Sequence, residues 1–197
     1  MKRELRKHHE YVLNILKDNS IFSVLDPEFV SQQPLETDQI ISPIPDLKLE
    51  LFHVPGKAPL YLEGSLGIES GDLGFTSGIE IKTANSVTVI MSSCAHLNDA
   101  LKERISRADH LLFDGTVFED DEMCQLGLGE KTGSRMGHLA ISSESGPIVE
   151  LANYSLKRKI FFHINNSNPI WDESSHQFKT IQKAGWETSY DGMVVPL

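Results

Sequence analysis

Apolar and polar positions along the chain change period several times, and the changes mark out its elements. In LKLELFHV (47–54) apolar and polar residues alternate, which predicts a strand with Leu47, Leu49 and Leu51 facing inward. Pro55-Gly56 ends it. Residues 64–78 hold five glycines and predict a hairpin-like turn, followed by strands over Gly78–Ile81 and Ser86–Met91. The second of these is rich in β-branched residues, which suit a pleated, half-buried surface. Leu97, Leu101 and Ile105 then recur at helical spacing, so 97–105 predicts a helix.

Further on, strands and helices alternate. His110–Phe113 is a short apolar strand, Glu119–Leu126 a helix with an acidic first turn, and Pro147–Tyr154 another helix. Lys159–Ile164 reads as a buried strand and Ser174–Ala184 as a helix stopped by Gly185. Met193–Val195 closes the chain as a strand. At the other end, Tyr11, Val12, Ile15 and Leu16 share one face of a helix over His8–Lys17. Ile21–Pro45, with Pro27, Pro34, Pro43 and Pro45, reads as an ordered loop. Alternation of strands and helices predicts an α/β (or α+β) fold rather than a sandwich of strands alone.

Composition narrows the function classes. A chain of 197 residues with 40% hydrophobic and 23% charged residues predicts one soluble domain with a sizeable core. The net charge of −10 repels a phosphate backbone, which argues against nucleic acid as a partner. The first seventeen residues carry five basic and two acidic side chains, yet no apolar core or cleavage site follows; they read as an amphipathic helix, not a targeting peptide. No apolar run reaches the ~20 residues that span a bilayer, so no membrane partner is expected. Cys94 and Cys124 lie in different elements, which predicts a reduced, cytoplasmic protein.

Three runs carry candidate chemistry. LLFDGT (111–116) and KIFFHINNSNPIWDE (159–173) each end an apolar stretch abruptly in a polar side chain, Asp114 and His163. In RMGHLAIS (135–142), His138 follows Gly137 at the start of a helix-like stretch. Asp114 could ligate a metal, orient a histidine, or form an Asp-Gly turn. His138 could act as an acid/base group or as a hydrogen-bonded core histidine. His163, among buried neighbours, requires a partner, either a metal or a core group such as Asp114. Asn165, Asn166 and Asn168 give an amide-rich turn that reads as a network holding a loop. Asp191-Gly192 reads as a turn, Glu119–Glu122 as a solvated helix start, and Cys94 as a small buried thiol. Phosphate-loop, dinucleotide and GxSxG signatures are absent from the sequence, as is an HxHxDH run.

Taken together, DHLLFDGTVFEDDEM, GEKTGSRMGHLAIS, FFHINNSNPIWDE and AGWETSYDGM resemble the pyrroloquinoline quinone (PQQ) biosynthesis protein B family, of metallo-β-lactamase fold. The resemblance runs from NSIFSVLDPEFVS (19–31) nearly to the end of the chain. It implies an αββα sandwich with a metal centre at the sheet edges. It also implies a metal-dependent oxygenase that hydroxylates the tyrosine of a Glu–Tyr-derived precursor, or a carrier of PQQ or that precursor. By resemblance, His163 matches the last metal ligand of the fold and Asp114 with His138 an acid/base or ligand-orienting pair. Asn165, Asn166 and Asp191 become substrate-binding or supporting residues. The cofactor implied is iron or zinc if the site is complete, and none in this chain otherwise.

The family's N-terminal part, with a cysteine-rich zinc motif and an aspartate–histidine loop, has no counterpart here, so the chain reads as the C-terminal portion (1–197) of a metallo-β-lactamase-like domain. Ser92-Ser93-Cys94 stands where many relatives place an aspartate. Three expectations follow: an enzyme portion completed by its missing N-terminal half, an inactive fragment or binding module that associates through an exposed sheet as a homo-oligomer, and a site shared between two chains with His8 and His9 as ligands in trans.

Overall fold

A computed structural model describes Glu28, residues 35–57 and residues 71–197, the side chains of 71–75 excepted. Contacts divide the chain into Met1–Glu36 and Thr37–Leu197. The helix expected over 8–17, and with it His8 and His9, lies outside the described residues.

Thr37–Leu197 is built on one seven-stranded sheet among the described residues, with strands in chain order: β1 (Ile40–Ile44), β2 (Leu47–Gly56), β3 (Gly71–Lys82), β4 (Val87–Met91), β5 (His110–Asp114), β6 (Arg158–Phe162) and β7 (Glu187–Thr188). β1 to β4 pair antiparallel; β4 to β7 pair parallel. Parallel neighbours need crossovers, and helices supply them. Helix α1 (Asp99–Ser106) links β4 to β5. Short helices α2 (Glu122–Gln125), α3 (Gly133–Met136) and α4 (Pro147–Glu150) lie between β5 and β6. A 3-10 turn (Pro169–Trp171) and helix α5 (His176–Lys183) lead to β7.

Local chemistry explains the ends of these helices. Asn98 caps α1 by accepting from the Leu101 amide, and Ser175 caps α5 by accepting from that of Phe178. Gly185 takes φ +75° just past α5, as a C′ residue must. Leu101 and Ile105 of α1 and Ile181 of α5 join Val89, Met91, Leu111, Phe113, Phe161 and Trp186 in one core. Trp186 stacks on Phe161 (4.1 Å between centroids, 10°) and meets Phe113 edge-on (6.2 Å, 70°). Aromatic pairs favour both geometries.

Several sequence expectations need correction. Ile40–Ile44 is a strand, not part of a loop. Pro45 and Asp46 turn it back onto β2, Asp46 taking the positive φ (63°), and Pro43 is tolerated because β1 is an edge strand. In β2 the core face is the other one: Phe52 and Val54 are buried, because Glu50 and Phe52 lie under Arg104 of α1. Val194 is exposed and Met193–Val195 forms no strand. The last slot beside β6 goes to Glu187–Thr188, delivered by the turn at Gly185 and anchored by buried Trp186. The helices expected over 119–126 and 147–154 shrink to 122–125 and 147–150, and α3 was not expected.

Candidate metal centre

Parallel strands send their carboxyl ends to one edge of a sheet, and here three such ends meet. β4 runs into Cys94, β5 ends at Asp114, and β6 stops at Phe162 with His163 next. His163 is therefore not inside a buried strand as expected. It leaves the strand with φ +54°, in the left-handed region, and its side chain is 53% exposed. His138 does not start a helix either: it follows Gly137, the left-handed end of α3 (φ +89°). A side chain at Gly137 would strike Lys57, its Cβ falling 2.8 Å from that of Lys57.

Asp114, His138 and His163 come together. One ligand atom from each lies within 4.8 Å of the others. The Asp114 carboxylate is fully buried. Its Oδ2 accepts from the Cys94 amide (3.1 Å) and from His138 Nδ1 (2.7 Å). Its Oδ1 accepts from the Thr116 amide (3.1 Å) and hydroxyl (2.6 Å). His163 Nδ1 lies 3.8 Å from Oδ1, and the two imidazoles stack with centroids 5.6 Å apart at 27°. Asp114 is thus both the turn-former and the histidine partner that its position allowed.

The electrostatics follow from this packing. Burial pushes the Asp114 carboxyl up, but donation from His138, the pull of His163 and the Thr116 hydroxyl outweigh it and hold the pKa below the usual carboxylate range. The same carboxylate raises the His163 imidazole against the opposing effect of partial burial. Cys94 is a small buried thiol, as expected: burial, then the Asp114 charge, pushes it up to about 12. Such a thiol is neither a ready nucleophile nor a ready metal ligand.

The loops after β5 and β6 are laced together. The Gly115 amide donates to the Phe162 carbonyl (2.8 Å), and the Asn165 amide to that of Thr116 (3.2 Å). Buried Asn168 donates its side-chain amide to the Gly115 carbonyl (2.8 Å), so the amide-rich turn does hold a loop. Glu122 is buried, not solvated: it accepts from the Phe118 amide (2.7 Å) and from the Ser167 hydroxyl (3.3 Å). Burial raises its pKa against those bonds. The Asn165 side chain turns to Met123 Sδ (3.0 Å), while Asn166 and Asp191 are exposed. No hydrogen bond or ion pair among the described residues joins these three side chains to the cluster.

The residue that sequence reasoning missed is Thr116, whose Oγ1 is 3.1 Å from His138 Nδ1 and 3.0 Å from His163 Nδ1. Its signal was present in Asp-Gly-Thr: an aspartate commonly accepts from the amide two residues on, which places the third side chain beside the carboxylate.

Two imidazoles and a carboxylate at one strand edge form a donor set that fits a catalytic divalent-metal site with open positions. The four donors to Asp114 fill the roughly four acceptor positions of a carboxylate. In this arrangement it orients the imidazoles, and it reaches a metal only if one donor turns away.

Known proteins share this fold. Residues 2–164 match the beta-lactamase superfamily domain. The chain is 44% identical to coenzyme PQQ synthesis protein B of Rhizobium meliloti (strain 1021), over 93% of this chain and 60% of that protein. It is 44% identical to the protein of the same name from Rhodopseudomonas palustris (strain BisB5), over 96% and 64%. The crystal structure of Zn2+-bound PqqB from Methylobacterium extorquens superposes with a TM-score of 0.85 at 39% identity, covering 94% of this chain and 62% of that one. The chain thus spans about three fifths of the length of these relatives. Both its motifs and its sheet place it where the resemblance pointed: the chain belongs to the beta-lactamase superfamily.

Proposed function

We propose that this chain takes part in making coenzyme PQQ, through a divalent-metal centre built on His138 and His163 with Asp114 orienting them. The observation that carries the reading is the gathering of these three side chains within 4.8 Å at the carboxyl ends of parallel strands, in a chain similar to a Zn2+-bound PqqB. Zinc is the metal this similarity favours; two imidazoles and a carboxylate also suit non-haem iron, and metal analysis separates the two. A bound divalent metal supplies a Lewis acid and open positions for an oxygen ligand.

The chain's own residues supply the rest. Asp114 fixes His138 and holds negative charge beside both rings. His163, half exposed, stands at the solvent side of the centre, where a substrate would approach. Asn166 and Asp191 are exposed and free to contact a peptide. In this reading the reaction is hydroxylation of the tyrosine ring of a Glu–Tyr-derived precursor, in the cytoplasm.

The test is the 197-residue chain, purified without chelators. It should hold about one zinc or iron per chain, bound by His138 and His163 with the remaining positions open. Asp114→Ala and His138→Ala should each weaken that binding by about 10–100-fold, the usual cost of losing an orienting or ligating group. Loaded with iron, because zinc has no redox chemistry, and supplied with air, a reductant and a Glu–Tyr peptide, the protein should yield a peptide heavier by one oxygen atom, the second oxygen leaving as water. Metal-free protein, or binding indifferent to both substitutions, would sink the reading. A second reading, a binding module that self-associates through its sheet, is favoured by edge strand β1, where Ile40 and Ile44 are 60% and 59% exposed. A monodisperse oligomer without metal would select it.

A further inference from the structure

We propose that the Thr116 hydroxyl is the positioning residue of this centre: with Asp114 it holds both imidazoles by their Nδ1 sides and leaves both Nε2 atoms to the metal. The inference rests on the metal reading above and extends it to an atom in the ring and a residue outside the ligand set.

The argument is one of proton inventory. A threonine hydroxyl has one proton to donate and two lone pairs to accept with. Four groups surround Thr116 Oγ1: Asp114 Oδ1 at 2.6 Å, the His163 carbonyl at 3.1 Å, His138 Nδ1 at 3.1 Å and His163 Nδ1 at 3.0 Å. The proton goes to the ionised carboxylate, the shortest contact and the stronger acceptor. The hydroxyl must then accept from the imidazoles, so each carries its hydrogen on Nδ1. His138 shares that hydrogen with Asp114 Oδ2 at 2.7 Å. Neither Nε2 has a hydrogen-bond partner among the described residues. A ring protonated at Nδ1 presents its lone pair at Nε2, the form in which a histidine ligates when its other nitrogen donates to a supporting group.

The two rings depend on Thr116 unequally. His138 has the direct Asp114 bond as well. His163 Nδ1 stands 3.8 Å from Asp114, outside hydrogen-bond length, so among the described residues the hydroxyl is its one side-chain hydrogen-bond partner. Thr116 is itself buried, and its carbonyl accepts from the Asn165 amide in the loop that carries His163. One side chain therefore ties the end of β5 to the ring beyond β6.

The test compares the 197-residue chain with Thr116→Val, which keeps the shape and removes the hydroxyl, and Thr116→Ser, which keeps the hydroxyl. Long-range 1H–15N spectra of the metal-free proteins, taken above the titration of both rings, should show Nδ1–H imidazoles at His138 and His163. Thr116→Val should abolish that signature at His163 and spare it at His138; Thr116→Ser should preserve both. Zinc affinity, read by competition with a chromophoric chelator, should fall about 10–100-fold in Thr116→Val and recover in Thr116→Ser. An unchanged His163 spectrum, zinc affinity unmoved by Thr116→Val, or a serine variant as weak as the valine one would each overturn the proposal. If the parent chain binds no zinc, the metal reading falls by itself, and the ring spectra still decide what Thr116 does.

Discussion

The two halves of the sheet divide the labour. β1 to β4, paired antiparallel, carry structural polar groups: Arg104 spans Glu50 (2.7 Å) and Glu80 (2.6 Å) and lies 4.3 Å over the Phe52 ring. β4 to β7, paired parallel, carry the cluster. Antiparallel strands end alternately at opposite edges, so their terminal side chains scatter. Parallel strands all end at one edge, so a polar residue placed after each apolar run lands beside its neighbours. The difference teaches that the site is a product of strand direction as much as of residue type.

That comparison can be broken at its strongest point first. Trp186→Ala removes the ring that stacks on Phe161 and braces Phe113, the residues that lead toward His163 and Asp114. It should cost about 3–5 kcal/mol in urea unfolding and weaken zinc binding as well. Arg104→Met, in the antiparallel half, strips two carboxylates of their partner. It should cost about 1.5–3 kcal/mol, as hydrogen bonds to charged groups do, and leave zinc affinity unchanged. If Arg104→Met weakened zinc as much as Trp186→Ala, the halves would not be separate in function.

The smallest effect lies at the join. His110 at the start of β5 is buried, with Nδ1 3.3 Å from the Ser86 hydroxyl. Burial lowers its pKa below the ordinary 6.5, outweighing the nearby Asp109, while Lys157 and Arg158 add to the fall. The folded chain thus binds this proton less readily than the unfolded chain. The resulting stabilisation is complete above 6.5 and is lost as pH falls through the lower folded value. His110→Gln should therefore flatten the decline of melting temperature on acidification below that pH. An equal decline in both proteins would show that His110 has no part in it.

Much of the parallel half was legible because its signals are local. Apolar runs that stop at Asp114 and His163 declare where strands end, and Leu101 and Ile105 declare the inner face of α1. The rest depended on partners distant in sequence. The face of β2 was misread because Arg104, some fifty residues on, decides it. Glu122 looks like one more acidic residue until the Phe118 amide and Ser167 close over it. β7 is two residues long and exists because β6 offers a free edge. Thr116 carries no mark of its own; its position follows from the turn that Asp114 makes.

The positive φ of His163 changes how that position is to be probed. A residue there does two jobs, presenting an imidazole and occupying a backbone conformation that costs most L residues about 1–3 kcal/mol. Alanine would remove the ring and bear the backbone penalty together. Asparagine, which adopts the left-handed region readily, removes the imidazole while keeping the bend. The corner after β6 thus behaves as a conformational filter on its own occupants, admitting histidine, asparagine and glycine more readily than residues chosen for ligand chemistry alone.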